Sequence, residues 1–238
     1  MDAYAKQRRV LHGQFTEVGM GTGFCMLITR ELIDRIGGLT DEVDRMFFED
    51  EDFSMRAQQA GYHCVVAEAS YVWHAEHQSV RTVPEREAIF TRNRRWCEER
   101  WGRWVRIAWP RFEPVVPGSD DLRQWLEQLV RWARRRTYVY VFCPTPPGMS
   151  MRSLFRSVGL TPHVDVEWHS IPKALAPLAA GGLIMKRRKK RFDIIVTPTP
   201  RWGQRLSTLQ WLHRATVVPA EDEEQLTSQW QQKSRSLS

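Results

Sequence analysis

Two stretches of the chain share one plan. VFCPTPPGMSMRSLF, beginning at Val141, and IIVTPTPRWGQRLSTL, beginning at Ile194, each read as an apolar strand, a Pro-Thr-Pro corner and a helix. A chain that repeats strand, corner and helix is directed to the α/β class. In open α/β sheets such corners lie at the carboxyl ends of strands, where ligand sites form. The ordinary turn preference of Pro and Thr yields the same string, so the echo specifies fold class before it specifies function. Around these units, TYVYVFC, Asp165 to Trp168, FDIIVT and ATVV read as strands, and residues 151–158 and 204–213 read as helices.

Ahead of them lies a basic amphipathic helix, DDLRQWLEQLVRWARRR, with Leu122, Trp125, Leu126, Leu129 and Trp132 at helical spacing. The prolines and glycine of WPRFEPVVPG, residues 109–118, mark an expected domain boundary. The expected organisation is a first region over 1–112, a linker and basic helix over 113–136, a small α/β Rossmann-like domain over 137–219, and a polar tail over 220–238. KRRKKR, residues 186–191, reads as a solvated loop.

The first region also alternates short strands and helices. Thr29 can cap a helix whose apolar positions are Leu32, Ile33 and Ile36, ending at Gly37 or Gly38. GMGTGFCMLI is a glycine-rich approach to a strand ending near Ile28. No Lys-Ser or Lys-Thr follows its last glycine, so it is not a phosphate-binding loop. HCVVAEASYVWHAEH predicts a strand centred on Val65 and Val66 and a second ending at Trp73 and His74. Beyond Pro84 a helix runs to about Trp101 and stops at Gly102.

Totals narrow the class of partner. A length of 238 residues, 42% hydrophobic, suits two compact units. A net charge of +7 favours anionic partners such as nucleotides, acidic glycans, nucleic acid or lipid headgroups. Four cysteines without a CxxC pair, and no secretory leader, predict reduced thiols in a cytoplasmic protein. The longest apolar run, Ile171 to Met185, contains Lys173 and two prolines and is shorter than the roughly 20 residues of a membrane span, so no transmembrane helix is expected. Many of the eleven tryptophans stand beside arginine, which predicts guanidinium stacking on indole.

The acids of FFEDEDFSMRAQQAGY, Phe47 to Tyr62, carry the chemistry. Asp50 suits a helix N-cap with Glu51 and Asp52 in the first turn, where the helix dipole favours negative charge. Adjacent carboxylates also raise one another's pKa, and Phe47, Phe48 and Phe53 supply desolvation that acts the same way. A carboxylate so placed can serve as a general base. His74 follows 24 residues after Asp50, beside Trp73, Glu76 and His77; a histidine there is either structural or a ligand.

GFCMLITRELIDRIGGL (Gly23 to Leu39), FFEDEDFSMRAQQAGY, CVVAEASYVWHAEHQS (Cys64 to Ser79) and CEERWG (Cys97 to Gly102) follow in an order and spacing that resemble the acceptor-side half of inverting family 2 glycosyltransferases. The resemblance spans about the first hundred residues and nothing after roughly Phe112. It implies a partial GT-A (Rossmann-like) region followed by a second small α/β domain. It also implies inverting transfer of a sugar from a nucleotide-sugar donor to an acceptor hydroxyl of a glycan or another molecule. By position the catalytic base falls on Asp50, with Glu49 and Asp52 as neighbours. His74 would join a divalent metal, Mn or Mg, and Gly21, Thr22 and Gly23 would border the sugar pocket. The donor-binding half and its Asp-x-Asp are missing: only about twenty residues precede the glycine-rich segment, and Asp2 and Glu17 are its sole acids before Glu31. A partner chain supplying the donor site, or a non-catalytic module derived from such an enzyme, is the alternative. Nucleic-acid binding ranks last, since the basic runs are separate and no recognition motif spaces them. The string RxxRW, Arg92 to Trp96, also occurs in processive polysaccharide synthases; here it reads as part of a helix.

Overall fold

The computed structural model describes residues 2–43, 46–74, 83–186 and 190–236, which form two compact units, Met1–Gly102 and Arg103–Ser238. The division falls at Gly102, ahead of the Pro-rich stretch 109–118. Glu76, His77 and Arg187 to Lys189 lie outside the described residues.

The first unit holds α1 (Asp2–Arg8), β1 (Phe15–Glu17), α2 (Arg30–Ile36), α3 (Glu49–Gln59), β2 (Val65–Ala67) and α4 (Arg86–Trp101). Strands β1 and β2 pair antiparallel, with Thr16 opposite Val66. Thr29 caps α2 as its sequence predicts, its hydroxyl accepting from the Leu32 amide, and Gly37 ends the helix at a φ of 80°. A small core of Leu32, Phe53 and Ala57, flanked by Met26, Ile28, Ile36 and Tyr62, joins α2 to α3.

Two expected strands are not formed. The segment ending near Ile28 has no ladder, because side chains of α3 take its Gly21 and Gly23 amides and Gly19 carbonyl. Residues 71–74 are irregular, with Val72 and Trp73 exposed.

The second unit runs β3 (Val105–Pro110), α5 (Asp120–Ala133), β4 (Thr137–Cys143), α6 (Met151–Ser157), β5 (Val166–Ser170), α7 (Ala176–Lys186), β6 (Ile194–Thr197), α8 (Pro200–Thr208), α9 (Gln210–His213), β7 (Thr216–Pro219) and α10 (Glu223–Arg235). Its five strands are parallel, in the order β5-β4-β3-β6-β7. The register sets Ile107 between Val139 and Ile194. Central strands buried on both faces read as continuous apolar runs, and alternate residues serve opposite layers. Ile107, Val139, Val141 and Val196 meet Leu122, Leu126, Phe155 and Leu226 from α5, α6 and α10. Ala108, Tyr140, Phe142 and Ile195 meet Ala180, Ile184 and Leu206 from α7 and α8.

Strand β3, within the region expected to close the first domain, is the centre of this sheet. The end of the chain is likewise no tail. Helix α10 buries Leu226, its Trp230 indole donates to Thr137 Oγ1 at 2.9 Å, and its Ser234 carbonyl accepts from the Arg103 amide at 2.7 Å. The scattered apolar residues of a mostly polar helix are enough to seal the α5 face of the sheet. Guanidinium stacking is found at Arg111 over Trp125, Arg135 over Trp132 and Arg100 over Trp96. None of the four cysteines forms a disulfide. Among the described residues no helix is long and apolar enough to cross a membrane.

Candidate functional site

The chain enters α3 through a strained turn. Phe47 and Phe48 both lie in the left-handed region, at φ 69° and 77°, a conformation that costs a non-glycine residue about 1–2 kcal/mol. The buried Asn93 holds the turn by donating to the carbonyls of Met46 and Phe47, at 2.7 and 3.3 Å. The Phe90 ring packs against both phenylalanines. Phe48 is therefore the N-cap, its carbonyl accepting from the Asp52 amide, and Asp50 sits one residue inside the helix rather than capping it. Glu49, Asp50, Glu51 and Asp52 fill the first turn, where the positive end of the helix dipole offsets their repulsion.

The four acids face different surroundings. Asp52 is buried, its carboxylate accepting from Arg56 Nε at 2.7 Å and Trp101 Nε1 at 2.9 Å, with Arg100 Nε at 3.3 Å. That is the arrangement of a structural ion pair, closed to a substrate. Burial pushes the Glu49 carboxyl above the ordinary range, and the neighbouring Asp50 charge adds to the rise. Glu49 Oε2 is shielded and has no hydrogen-bond partner among the described residues. Asp50 is half-buried; its Oδ1 accepts from the Glu51 amide at 2.8 Å and its Oδ2 from the Gly23 amide at 2.8 Å. A carboxylate offers about four lone-pair sites, so two remain for a ligand.

Asp50 belongs to a ladder. Gln58 Nε2 donates to the Gly19 carbonyl at 2.6 Å, Ser54 Oγ accepts from the Gly21 amide at 2.9 Å, and Asp50 accepts from Gly23. Residues 50, 54 and 58 thus meet residues 23, 21 and 19. Four residues of α-helix rise about 6 Å and two residues of extended chain about 6.6 Å, so the spacings match. Ser54 Oγ also donates to the Asp50 carbonyl at 2.7 Å, locking the middle rung. A Cβ on Gly21 would come within 3.2 Å of Met26 Cε, so a side chain there would push Met26 aside. The Cys64 thiol is raised first by burial and lies against Ser54 and Gly21.

The ladder includes two of the three residues expected to border a sugar pocket, Gly21 and Gly23. The amides of Gly21 and Gly23 bond to α3, while Thr22 and Gly23 are both exposed. The next residue, Phe24, stacks on the His74 ring with centroids 4.7 Å apart. Asp50 and His74 are therefore attached to successive residues of one segment. Ser54, Gln58 and Phe24 were not singled out from sequence; the signal was the i, i+4, i+8 spacing of polar residues on α3 set against alternate positions of the glycine-rich segment.

The chemistry available here is proton acceptance by Asp50, with the exposed His74 imidazole stacked on the residue after Gly23. A metal site is not ready-made: among the described residues no three His, Cys, Asp or Glu side chains converge.

The second unit offers another place. Its strand order reverses between β3 and β6, and both Pro-Thr-Pro corners follow the carboxyl ends of parallel strands, β4 and β6, where open α/β sheets form ligand crevices. Both threonines nevertheless have structural duties. Thr145 accepts from the Trp168 indole at 2.8 Å and donates to the Cys143 carbonyl, and Thr199 caps α8.

No family model and no solved structure matches the chain. It is similar to the "Uncharacterized protein y4gI" of Sinorhizobium fredii, 32% identical over 82 residues. Those residues make up 34% of this chain and 9% of that protein, so the chain spans only a small part of the relative it matches.

Proposed function

We propose that the first unit is the acceptor-side half of an inverting glycosyltransferase, with Asp50 as the base that takes the proton from an acceptor hydroxyl. The observation that supports it best is the contrast between Asp50 and Asp52. Asp52 is saturated by Arg56, Arg100 and Trp101, while Asp50, half-buried, accepts only the Glu51 and Gly23 amides among the described residues. Positioning by the Gly23 amide orients the carboxylate, and a base so oriented contributes roughly 10²–10⁴-fold. Burial raises the pKa of the neighbouring Glu49, and the Asp50 charge adds to the rise. The nucleotide-sugar donor, and any Mn or Mg that accompanies its diphosphate, would draw on groups outside the described residues.

A second reading is a non-catalytic module derived from such an enzyme, docked against another chain. It is favoured by the exposure of Leu27, Val65, Val66 and Trp73 around the same unit, an apolar surface suited to a partner. Calorimetric titration of the purified chain with nucleotide sugars in the presence of Mn separates the two. Micromolar binding supports the transferase, and no heat with any donor supports the module.

A further inference from the structure

The net positive charge of the chain is carried by one segment. Between Ile171 and Arg214 there are ten Lys and Arg against a single acid, Asp193, a net of +9 where the whole chain carries +7. All other residues together are therefore net −2. Asp193 is itself engaged, accepting from Arg103 Nη2 at 2.7 Å and from the Arg106 amide at 2.8 Å. The segment supplies α7, α8 and α9, the helical layer on one face of the parallel sheet.

This layer is apolar on its outer side as well. Helix α7 packs Ala176, Ala180 and Ile184 inward, yet Leu178 is 74% exposed and Leu183 also faces out. Helix α9, packed beside it, adds Trp211 at 75% exposure together with Leu212. A helix apolar all round is ordinarily buried. Around the patch stand exposed cations: Lys173 before α7, Lys186 at its end, Arg201 and Arg205 on α8, and Arg214 after α9.

We propose that the α7–α9 face of the second unit docks on an anionic phospholipid surface. Trp and Leu enter the boundary between headgroups and acyl chains, and the surrounding Lys and Arg meet lipid phosphates. Nucleic acid fits less well, because outward leucines offer nothing to a phosphate backbone. A second copy also fits less well: a two-fold contact sets a surface against itself, and here it would press one ring of cations on another. Docking of this kind is independent of the chemistry proposed for Asp50, and its test does not require activity.

The full chain is mixed with vesicles of phosphatidylcholine, or of phosphatidylcholine with phosphatidylglycerol, and sedimented at low and moderate salt. Binding is expected only to the anionic vesicles. Leu178→Gln and Trp211→Gln, substitutions of exposed side chains whose folding is checked by circular dichroism, each weaken it by about tenfold or more, because apolar insertion adds to the charge attraction. Three results overturn the proposal: no binding to anionic vesicles; equal binding by the variants and the parent chain; or a dimer in sedimentation equilibrium that both variants dissociate. Equal loss of affinity for duplex DNA and for vesicles in the variants would also overturn it, by assigning the face to nucleic acid.

Discussion

The Gly23 amide donates to Asp50 Oδ2 at 2.8 Å, and the residue after Gly23, Phe24, stacks on His74. One short segment thus links the proposed base to the proposed imidazole. The link depends on α3 starting where it does, which depends in turn on the two left-handed phenylalanines before it.

Asp52 and Asp50 differ in what their loss would do. Asp52→Ala leaves Arg56 and the Trp101 indole without their buried acceptor, and stability falls by about 3–5 kcal/mol. Asp50→Asn retains an acceptor for the Gly23 amide and shifts stability by about 1 kcal/mol or less. Urea denaturation of both variants checks the order, and the reverse order would exchange their roles.

Glu49 makes stability depend on pH. Its folded pKa lies above the unfolded value, so the native state holds the proton more tightly. The contribution of Glu49 to stability is therefore fully present below the ordinary glutamate range and is lost as pH rises through the folded pKa. Glu49→Gln removes this loss: its urea midpoint relative to the parent chain should improve between pH 4 and pH 7. A constant difference would mean that Glu49 ionises normally.

Two glycines predict opposite signs. Gly182, in α7, has open space where a Cβ would go, so Gly182→Ala stabilises by about 0.5–1 kcal/mol through helix propensity. Gly203, in α8, would place its Cβ 3.0 Å from Thr197 Oγ1, which donates to the Val218 carbonyl. Gly203→Ala destabilises by about 1–3 kcal/mol despite the same propensity gain. Thermal melts of the pair provide the comparison.

Cysteine reactivity should follow burial. Cys25 is exposed, whereas the Cys143 thiol is buried and pushed up to about 12, chiefly by burial. Iodoacetamide at pH 8, read by peptide mass spectrometry, should label Cys25 quickly and Cys143 only after denaturation.

Much of the second unit was legible because its signals are local. TYVYVFC is a strand over the expected residues, and Leu122, Trp125, Leu126, Leu129 and Trp132 are the buried stripe of α5. Other features depend on distant partners. Nothing near Val105 marks it as the start of a central strand; its neighbours in the sheet lie far along the chain. Helix α10 was hidden by a polar sequence whose anchor, Leu226, is recognised only against the sheet. In the first unit, the acids and His74 were visible, but their separation into a saturated Asp52 and an accessible Asp50 rests on Trp101 and Gly23. The glycine-rich segment looked like the approach to a strand because its backbone bonds go to side chains, which have no period-two signature.

If Asp50 acts as the base, nucleotide release depends on its carboxylate. The purified chain and Asp50→Asn are incubated with Mn and a panel of nucleotide sugars, with and without glycan acceptors. The account predicts acceptor-stimulated release by the parent chain and a loss of about a hundredfold or more in the variant. Equal release from the two proteins, or none from the parent with any donor, would contradict it.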